Sequence, residues 1–596
     1  MLDPRVEYGR RLDCHAEKIA TRERQHVIIG NLKLAAVAFL LSFVWLRYAK
    51  NAIAADWLLL PVFAYAALAI LHEHVIRART RAQTAAAFYR AGFARIEDRW
   101  AGTGASGDRF RDPKHVYAED LDLFGTGCLF ELLSIARLPM GENRLAEWLK
   151  FPSPGQAVVG RQGLVAELRE KLDLREDLAV MGEDLRVRLN PESLRDWCEA
   201  QPKLGGAAWR VIATALALAA VASLIYLIAT GVLWPFLGVL IVEFVPYMWL
   251  RKRAMEVISG VSCDVEGVEL FAGILKRVEC ETFASPRLRA LVAELKQDAE
   301  PASTAIRRFT RIVYWIDGRE GLIVRMLDLP LLYTIHAALA AEAWRTRHGH
   351  RMREWINVTA EIEALLSLSV YSFEHPADPF PEFADANNSL ALFDGQELGH
   401  PLIAAAQCVR NSVCLDANTR VLLVSGSNMS GKSTLLRTVG INTVLAMAGA
   451  PIRGKALRLT PLALGTRLRS LDSLQEGRST FYTELLRIRQ VFDLVTGDRP
   501  ILFLLDELLD GTNSHDRRIG AENLVRSFLE RGAIGIVSTH DLALAEMTKS
   551  LGSTVRNAHF EDHVENGVMR FDYKLRDGVV TKSNALELMR LVGLKV

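Results

Sequence analysis

A long apolar tract in the first half of the chain is the feature that most constrains how this sequence can fold. Residues 211–242 include no charged side chain, and residues 211–250 include only Glu243. One helix over the whole tract would be about 60 Å long, twice the thickness of the hydrocarbon core of a bilayer. Gly231 and Pro235 lie near its middle and favour a turn there. The tract therefore predicts a transmembrane hairpin of two helices.

Two shorter apolar segments near the N-terminus predict another hairpin. Residues 27–46 carry Lys33 as their only charge, and residues 57–76 carry Glu73 near their end. Each segment has the length of about 20 residues that a transmembrane helix needs. Their uninterrupted apolar cores are 13 and 15 residues long, so a hairpin buried in a soluble domain is the alternative.

Basic residues beside the spans predict their orientation. By the positive-inside rule, segments rich in Lys and Arg next to a span face the cytoplasm. We therefore expect a multi-pass protein of the inner (cytoplasmic) membrane, with nearly all of its mass in the cytosol. A cleavable signal peptide is not expected, since residues 1–25 are charged throughout. The basic residues are Lys18, Arg22, Arg24, Arg77, Arg79, Arg81, Arg251, Lys252 and Arg253.

A glycine-rich segment in the last third of the chain matches the Walker A pattern G-x-x-x-x-G-K-[ST]. The apolar run 420–425 before it predicts a buried strand, so a strand, a glycine loop and a helix follow one another. Backbone N–H groups of such a loop surround phosphates, Lys432 reaches the β- and γ-phosphates, and Ser433 holds Mg²⁺. An ordinary glycine-containing turn is the alternative. The predicted nucleotide-binding residues are Gly426, Ser427, Asn428, Met429, Ser430, Gly431, Lys432, Ser433 and Thr434.

Two further strand ends supply the other groups that ATP hydrolysis needs. The apolar run 501–505 predicts a buried parallel strand that ends in Asp506 and Glu507. Asp506 is predicted to hold Mg²⁺, and Glu507 to orient or activate the attacking water. A third predicted strand ends in His540, which can sense the γ-phosphate. The alternatives are carboxylates that merely end a strand and a structural histidine.

Four segments, in this order, resemble the ATPase domain of the MutS family of DNA mismatch repair proteins. They are "GSNMSGKST" (426–434), "LRSLDSLQEGRSTFYTELLRI" (468–488), "LLDELLDGTNSHDR" (504–517) and "STHDLALAE" (538–546). The resemblance implies a homodimer in which Ser479 reaches the γ-phosphate held by the other subunit, so that two chains enclose two nucleotides. It also implies that Asp510, Thr512 and Asp516 help to form the dimer contact. Residues 571–594 resemble the closing strand, glycine turn and helix of the family.

Weaker similarity extends upstream, to the helical core of the same family. Residues 120–152 are similar to the start of that core, where an M-G pair precedes an R-L-x-x-W-L helix. Residues 344–381 resemble its end, and residues 397–403 its junction with the ATPase. A generic helical bundle is the alternative. We expect neither the mismatch-reading domain nor the small nuclease domain of other members, and Phe88 is expected to be a packing residue.

The composition is typical of a protein whose functional domains lie in the cytosol. The seven cysteines are scattered without a C-x-x-C pair, so neither a structural zinc site nor a disulfide framework is expected. A net charge of +2 is not the signature of a nucleic-acid binder, although a local patch can still contact DNA. Residues 345–353, "RTRHGHRMR", are the best candidate for such a patch. We interpret them as a solvated turn between helices.

The sequence as a whole predicts a multidomain protein. We expect a membrane anchor (1–110), a MutS-like helical core (111–395) interrupted by the longer hairpin, and an α/β P-loop ATPase domain of the ABC type (396–596). Residues 102–108 are expected to be a short linker. The predicted function is that of an ATP-driven dimeric clamp that acts on DNA, structured or damaged rather than simply mismatched. The alternatives are a membrane switch without DNA binding and an ABC-type transporter.

Overall fold

The first part of the chain is helical, and the last third holds two β-sheets. The computed structural model describes residues 3–579 except 51, 53, 154, 182–189, 206, 262–264, 298–299, 320, 385–390, 428, 469–479, 498, 510–513, 546 and 566–567. The helices are α1 (Pro4–Tyr48), α2 (Leu59–Ile96), α3 (Leu129–Leu133), α4 (Pro139–Lys150), α5 (Gly155–Leu168), α6 (Leu172–Val180), α7 (Pro191–Glu199), α8 (Ala207–Thr230), α9 (Trp234–Ser259), α10 (Val265–Glu279), α11 (Pro286–Leu295), α12 (Ala302–Gly318), α13 (Leu322–Leu327), α14 (Tyr333–His348), α15 (Met352–Glu374), α16 (Lys432–Ala448), α17 (Thr480–Asp493), α18 (Ser514–Glu530), α19 (Leu542–Ala545) and α20 (Thr548–Leu551). The strands are β1 (Glu382–Phe383), β2 (Phe393–Leu398), β3 (Asn411–Leu415), β4 (Val421–Ser425), β5 (Ala456–Leu459), β6 (Ala463–Arg467), β7 (Ile501–Leu505), β8 (Ile534–Thr539), β9 (Val555–Glu565) and β10 (Val568–Asp577).

Helices α1 and α2 pack against each other and contain the two N-terminal apolar segments. Both helices continue well beyond the predicted spans 27–46 and 57–76 because polar helical residues extend them toward the rest of the protein. Within the spans, apolar side chains such as Leu34 (71% exposed) and Phe63 (68% exposed) point away from the protein. The structure therefore does not support the alternative of a hairpin buried in a soluble core.

Helices α8 and α9 form the other hairpin, and its turn lies where the sequence predicts it. Gly231 at the turn has φ +73°, a left-handed value that glycine adopts without strain. Of the described helices, three are long and apolar enough to cross a membrane: α1, α2 with its preceding turn, and α8. Helix α9, the fourth predicted span, is not among them; it carries Glu243, Pro246 and the basic run 251–253.

A helical core connects the two hairpins to the sheets. Helices α10 and α14 pack on α12, and nearly every side chain of α15 is buried. Trp197, Phe309 and Trp344 form a stack in this core. The ring centroids of Trp197 and Phe309 are 5.3 Å apart, and those of Phe309 and Trp344 are 4.5 Å apart. Aromatic pairs of this kind stabilise a core beyond the burial of their surface, so the predicted helical core has a well-packed centre.

Residues 102–108 are not the free linker that the sequence suggested. The backbone N–H of Gly104 donates to Glu131 Oε1 at 2.8 Å. Gly107, with φ +69°, lies so close to Phe130 that a β-carbon there would be 2.6 Å from a ring carbon. Only glycine combines this backbone angle with such a close approach. The segment does lie between α2 and α3, but it is held on α3 rather than free.

The N-terminal helices dock on the end of α15 through a buried polar cluster. Arg95 of α2 donates two hydrogen bonds to the Glu374 carboxylate, both 2.7 Å long. The Tyr8 hydroxyl of α1 donates to the same carboxylate at 3.1 Å. Phe88 is buried in the adjoining apolar cluster beside Tyr89. The prediction that Phe88 is a packing residue is therefore confirmed.

The basic run 345–353 forms the turn between α14 and α15, but this turn is not solvated. The buried guanidinium of Arg345 donates to the Gln201 carbonyl at 3.0 Å. The buried guanidinium of Arg351 donates to the Glu294 carbonyl at 2.7 Å. The Glu294 carbonyl is in the last turn of α11, where carbonyls lack partners within their helix, and Arg351 supplies one. The interpretation as a solvated turn was wrong, and both guanidinium groups are engaged inside the protein.

The α/β part of the chain holds a six-stranded and a four-stranded sheet. The six-stranded sheet has the order β10-β9-β4-β8-β7-β6; β10 is antiparallel to β9, and the other neighbours are parallel. The four-stranded sheet has the order β1-β5-β2-β3. Strands β4, β7 and β8 are buried along their whole length, as central parallel strands are. These sheets fit the predicted α/β class, and the predicted boundary at residue 396 falls inside β2.

Candidate functional site

The order of the strands brings the predicted site residues to one edge of the six-stranded sheet. Strand β8 lies between β4 and β7, with Ser425 opposite Thr539 and Leu505 opposite Val537. Because parallel strands point the same way, the segments that follow them meet beyond their carboxyl ends. These segments are the glycine loop after β4, the acidic pair after β7 and His540 after β8.

The glycine loop turns sharply between β4 and α16. Gly426 has φ +155° and Gly431 has φ +106°, and helix α16 begins directly after Gly431. Glycine is favoured at position 431 by its backbone angle, and a β-carbon there would make a tight contact of 3.1 Å with the Tyr573 ring. Met429 is 86% exposed and has φ +70°. The loop therefore presents its backbone at the start of α16, where the helix dipole favours anions.

Lys432 is buried in the loop and bonded to it. Its Nζ donates to the carbonyls of Gly426 and Ser427, each at 2.9 Å. Burial lowers the pKa of Lys432, while the nearby carboxylates of Glu507 and Asp506 oppose that shift. A charged ammonium bonded only to carbonyls is suited to exchange them for a more negative partner.

Two serine hydroxyls of the loop are buried without a hydrogen bond. Ser427 Oγ and Ser430 Oγ find no partner among the described residues. Buried polar groups are nearly always paired, so such orphans are typical of a site completed by a ligand. Ser433 is half-buried and Thr434 is exposed at the first turn of α16. The predicted loop residues that the structure describes are therefore together at one place.

The acidic pair is held by its neighbours. Asp506 is buried and accepts a short hydrogen bond from the Ser538 hydroxyl. The backbone N–H of Glu507 donates to the same hydroxyl at 3.2 Å, and Glu507 has φ +50°. His540 Nδ1 lies 3.5 Å from Glu507 Oε1. The backbone angle of Glu507 is unusual for a side chain that is not glycine, and such strain is concentrated at functional sites.

Arg467, at the end of β6, is a site residue that the sequence did not reveal. Its guanidinium donates to the backbone carbonyls of Asp506 and Glu507, the latter at 3.2 Å. It also pairs with Glu484 at 3.3 Å, and Glu484 Oε1 accepts the backbone N–H of Leu509 at 2.8 Å. This chain of contacts holds the segment after β7 in place. An arginine at the end of a strand carries no signal for this role in one sequence.

A cavity of about 630 Å³ joins the loop to the acidic pair. Its volume is within the range of small-molecule sites, and polar and charged side chains line it together with apolar ones. The predicted residues Met429, Gly431, Lys432, Ser433, Thr434, Asp506 and Glu507 line it. His400, Asn411, Phe560 and Tyr573 line it as well. These four were not predicted as site residues, although His400 lies in the segment interpreted as the junction with the ATPase.

Tyr573 reaches the glycine loop because β10 is irregular there. The pairing of β10 with β9 shifts between Phe571 and Leu575. Asn411 holds the irregular stretch: its Nδ2 donates to the Tyr573 carbonyl at 2.9 Å, and its Oδ1 accepts the Leu575 N–H at 2.8 Å.

His400, which lines the same cavity, is neutral at physiological pH. Burial of its imidazole lowers its pKa to about 4.

Several predicted site residues lie outside the described residues. Asn428 of the glycine loop, Ser479, Asp510 and Thr512 belong to this group. Asp516, by contrast, lies in the first turn of α18. Their predicted roles, including the contact of Ser479 with a second subunit, stay predictions.

The fold and the site define an α/β domain in which a glycine loop, a lysine and an acidic pair surround one cavity. Residues 422–595 match the family model "MutS domain V". This match supports the membership of the MutS family that the resemblance predicted.

Curated relatives share this part of the chain. The Thermus thermophilus protein "Endonuclease MutS2" is 36% identical over 203 residues, which are 33% of this chain and 25% of the relative. The Streptococcus pyogenes serotype M1 protein "DNA mismatch repair protein MutS" is 29% identical over 283 residues, which are 47% of this chain and 32% of the relative. The chain thus matches between a quarter and a third of the length of these relatives.

Proposed function

We propose that this protein is a Mg²⁺-dependent ATP hydrolase whose site is the cavity between the glycine loop and the acidic pair. The observation that carries the proposal is that Lys432, Ser433, Asp506 and Glu507 line one cavity, although Lys432 and Glu507 are far apart in the sequence. The unpaired hydroxyls in the loop and the start of α16 fit phosphate groups. The hydroxyl of Ser433 and the carboxylate of Asp506 fit Mg²⁺, which prefers oxygen ligands and phosphate oxygens.

Each of these side chains then has one task. Lys432 exchanges its carbonyl partners for the β- and γ-phosphates, where its charge stabilises the developing negative charge. Ser433 and Asp506 hold Mg²⁺, which neutralises phosphate charge when it is bound. Glu507 orients the attacking water and accepts its proton. His540, 3.5 Å from Glu507, positions that carboxylate and senses the γ-phosphate.

Hydrolysis by single variants tests these roles. Lys432→Ala should abolish ATP binding, whereas Glu507→Gln should bind ATP and hydrolyse it about 10²-fold more slowly or worse. Lys455→Ala is the matched control, since Lys455 is an exposed lysine of the same domain. Wild-type turnover of the Glu507→Gln protein would remove Glu507 from its assigned role.

We propose further that two chains form a homodimer with shared nucleotide sites. The resemblance to the MutS family implies that Ser479 of one chain completes the nucleotide site of the other chain. Ser479→Ala should therefore lower hydrolysis without weakening ATP binding by a single chain. Mixing Ser479→Ala chains with Lys432→Ala chains should restore one working composite site per dimer. Complete inactivity of the mixture, with dimers verified by size, would contradict the shared-site arrangement.

The apolar hairpins are proposed to cross the inner (cytoplasmic) membrane and to leave the α/β domain in the cytosol. Their exposed apolar side chains and the basic residues on one side support this orientation. The full-length protein should remain in the membrane after carbonate extraction. A variant without residues 27–76 and 211–250 should be released or aggregate. Recovery of the intact protein in the soluble fraction would contradict the proposal.

The substrate on which ATP hydrolysis acts is proposed to be DNA, in keeping with the relatives named for DNA mismatch repair and endonuclease activity. Contacts to the phosphate backbone would make binding weakly sequence-selective and strongly salt-dependent. Titration of the detergent-solubilised protein with homoduplex, mismatched and branched DNA, with and without ATP, at two salt concentrations tests this. We expect ATP-modulated binding that prefers branched DNA, whereas strong preference for a mismatch would contradict the proposal.

One observation favours the second candidate, a nucleotide-driven membrane switch without DNA. The best basic run of the sequence has Arg345 and Arg351 engaged with backbone carbonyls inside the helical core. Those two guanidinium groups are withdrawn from any phosphate backbone. Absence of binding to all three DNAs in the same titration would select the switch.

A further inference from the structure

An apolar surface beside the longer hairpin has no role in the nucleotide site. It is formed by residues 307–319 and 321–332, which comprise the greater part of α12, helix α13 and the segment leading into α14; we call it the elbow. Leu322 and Met326 on α13 are each 71% exposed, and Tyr314 and Trp315 are 52% and 54% exposed. Scattered exposed apolar residues are ordinary, but a group of them in one segment marks an interaction surface.

Two contacts fix the elbow alongside α9. The Tyr247 hydroxyl of α9 donates to Asp328 Oδ2 at 2.8 Å. Arg319 Nη1 lies 3.9 Å from the sulfur of Met255, eight residues farther along α9. Eight residues of helix correspond to about 12 Å. The elbow therefore extends along α9 from the level of Met255 towards the apolar part of the hairpin.

The side chains around Tyr247 have the composition of a membrane–water interface. The rings of Trp209 and Trp249 have centroids 5.2 Å apart, which joins α8 to α9 at this level. The Arg253 guanidinium lies 4.5 Å from the centroid of Trp249, and that of Arg251 lies 5.6 Å from the centroid of Tyr247. Trp and Tyr concentrate at the headgroup level of bilayers, and Arg and Lys concentrate on the cytoplasmic side. The elbow is thus held at the depth where the hairpin would leave the hydrocarbon.

Polarity also changes along the elbow in the order that a bilayer surface requires. The exposed face of α12 carries Arg307 and Arg311, and it ends in the aromatic pair Tyr314 and Trp315. After the polar residues 317–320 in the sequence comes helix α13, which is apolar except for Arg325. Basic, aromatic and apolar side chains in this order match anionic headgroups, the interface and the acyl chains. A soluble protein partner would not need this order.

We propose that the elbow is an interfacial membrane anchor in which Leu322 and Met326 enter the cytoplasmic leaflet and Arg307 and Arg311 contact anionic headgroups. Lipid contact of the elbow rests on the proposed membrane insertion of the hairpins. Asp328 ties the elbow to the core, because its Oδ1 accepts the backbone N–H of Thr334 at the start of α14, at 2.8 Å. Lipid bound at the elbow therefore restrains the ends of α12 and α14 in the helical core.

Photo-crosslinking from lipid tests the proposal. The full-length protein is reconstituted in nanodiscs of phosphatidylcholine, with or without phosphatidylglycerol, that contain a lipid with a diazirine on its acyl chain. Mass spectrometry then locates the adducts. We expect adducts on peptides that contain Leu322 and Met326, and on hairpin peptides. The control is the peptide that contains Ile519, an apolar residue of α18 that is 46% exposed, which should carry none.

Two paired variants sharpen the test. Leu322→Glu with Met326→Glu should lose the elbow adducts and keep the hairpin adducts, and its unfolding midpoint in detergent should not change, because both side chains are exposed. Arg307→Gln with Arg311→Gln leaves the apolar side chains intact and should lose the increase in elbow labelling that phosphatidylglycerol causes. Equal labelling of the wild-type elbow with and without phosphatidylglycerol would overturn the headgroup contact.

The outcomes separate the elbow from the proposed function. Labelled hairpins with an unlabelled elbow would overturn the elbow as a lipid contact. Crosslinks between two copies at an elbow that lipid does not label would also overturn it, and would make the elbow a contact between subunits. Unlabelled hairpins would instead overturn the proposed membrane insertion itself.

Discussion

The N-terminal helices contact the end of α15 through one buried carboxylate, that of Glu374, and its removal should be costly. Glu374 has no exposed side-chain surface, and its partner Arg95 has 11%. Two hydrogen bonds of 2.7 Å from Arg95 and one of 3.1 Å from Tyr8 satisfy the carboxylate. Glu374→Ala would leave Arg95 buried and unpaired. Breaking a buried ion pair in this way costs about 3–5 kcal/mol.

A second buried cation adds to this cost. The Arg175 guanidinium lies 4.8 Å from the centroid of the neighbouring Phe373 ring, and Glu374 is one of the negative groups that balance it. Replacing both members of the pair, Arg95 and Glu374, should destabilise the protein by less than the sum of the two single losses. The double variant Arg95→Ala with Glu374→Ala should thus show a coupling energy of about 0.5–3 kcal/mol.

Urea unfolding of the detergent-solubilised full-length protein, followed by tryptophan fluorescence, measures these losses. The matched control is Glu199→Ala, which removes an exposed ion pair with Arg353. The Glu199 side chain is 43% exposed and that of Arg353 is 62% exposed. An exposed pair contributes about 0–1 kcal/mol. A loss for Glu374→Ala within the range of this control would refute the assignment of Glu374 as the buried centre of the contact.

Three further predictions concern the cavity and the core. Gly431→Ala should weaken binding of a fluorescent ATP analogue, because φ +106° strains any other residue and a β-carbon would crowd the Tyr573 ring; Gly163→Ala, where nothing lies within 4 Å, should not. Tyr573→Ala should weaken ATP binding by about 1–3 kcal/mol if the ring stacks on the base, and Tyr573→Phe should retain it. Burial raises the pKa of Glu363 to about 8, so its contribution to stability is present below about pH 4.3 and lost as pH rises towards 8. Glu363→Gln should flatten that decline in unfolding measurements between pH 5 and 8, and an unchanged slope would contradict it.

The sequence by itself determined the features that depend on neighbouring residues. The spacing of Gly426, Gly431 and Lys432 predicts the loop because a strand, a tight turn and a helix start follow one another directly along the chain. The turn at Gly231 was predictable for the same reason, since an apolar tract too long for one helix must reverse near its glycine. The match of residues 422–595 to a MutS domain could be expected from ordered short segments of the last third of the chain.

Only the tertiary structure decided which distant residues complete the cavity and which charges are buried. Tyr573 lies more than a hundred residues from the loop, and it arrives there because β9 pairs with β4 and β10 bulges over Gly431. Arg467 reaches the acidic pair because β6 pairs with β7. The burial of Arg345 could not be predicted, since its partner is the Gln201 carbonyl, which only packing brings near. The pairing of distant strands and the hydrogen bonds that satisfy carbonyls at helix ends are properties of the folded chain. They have no local signature in the sequence.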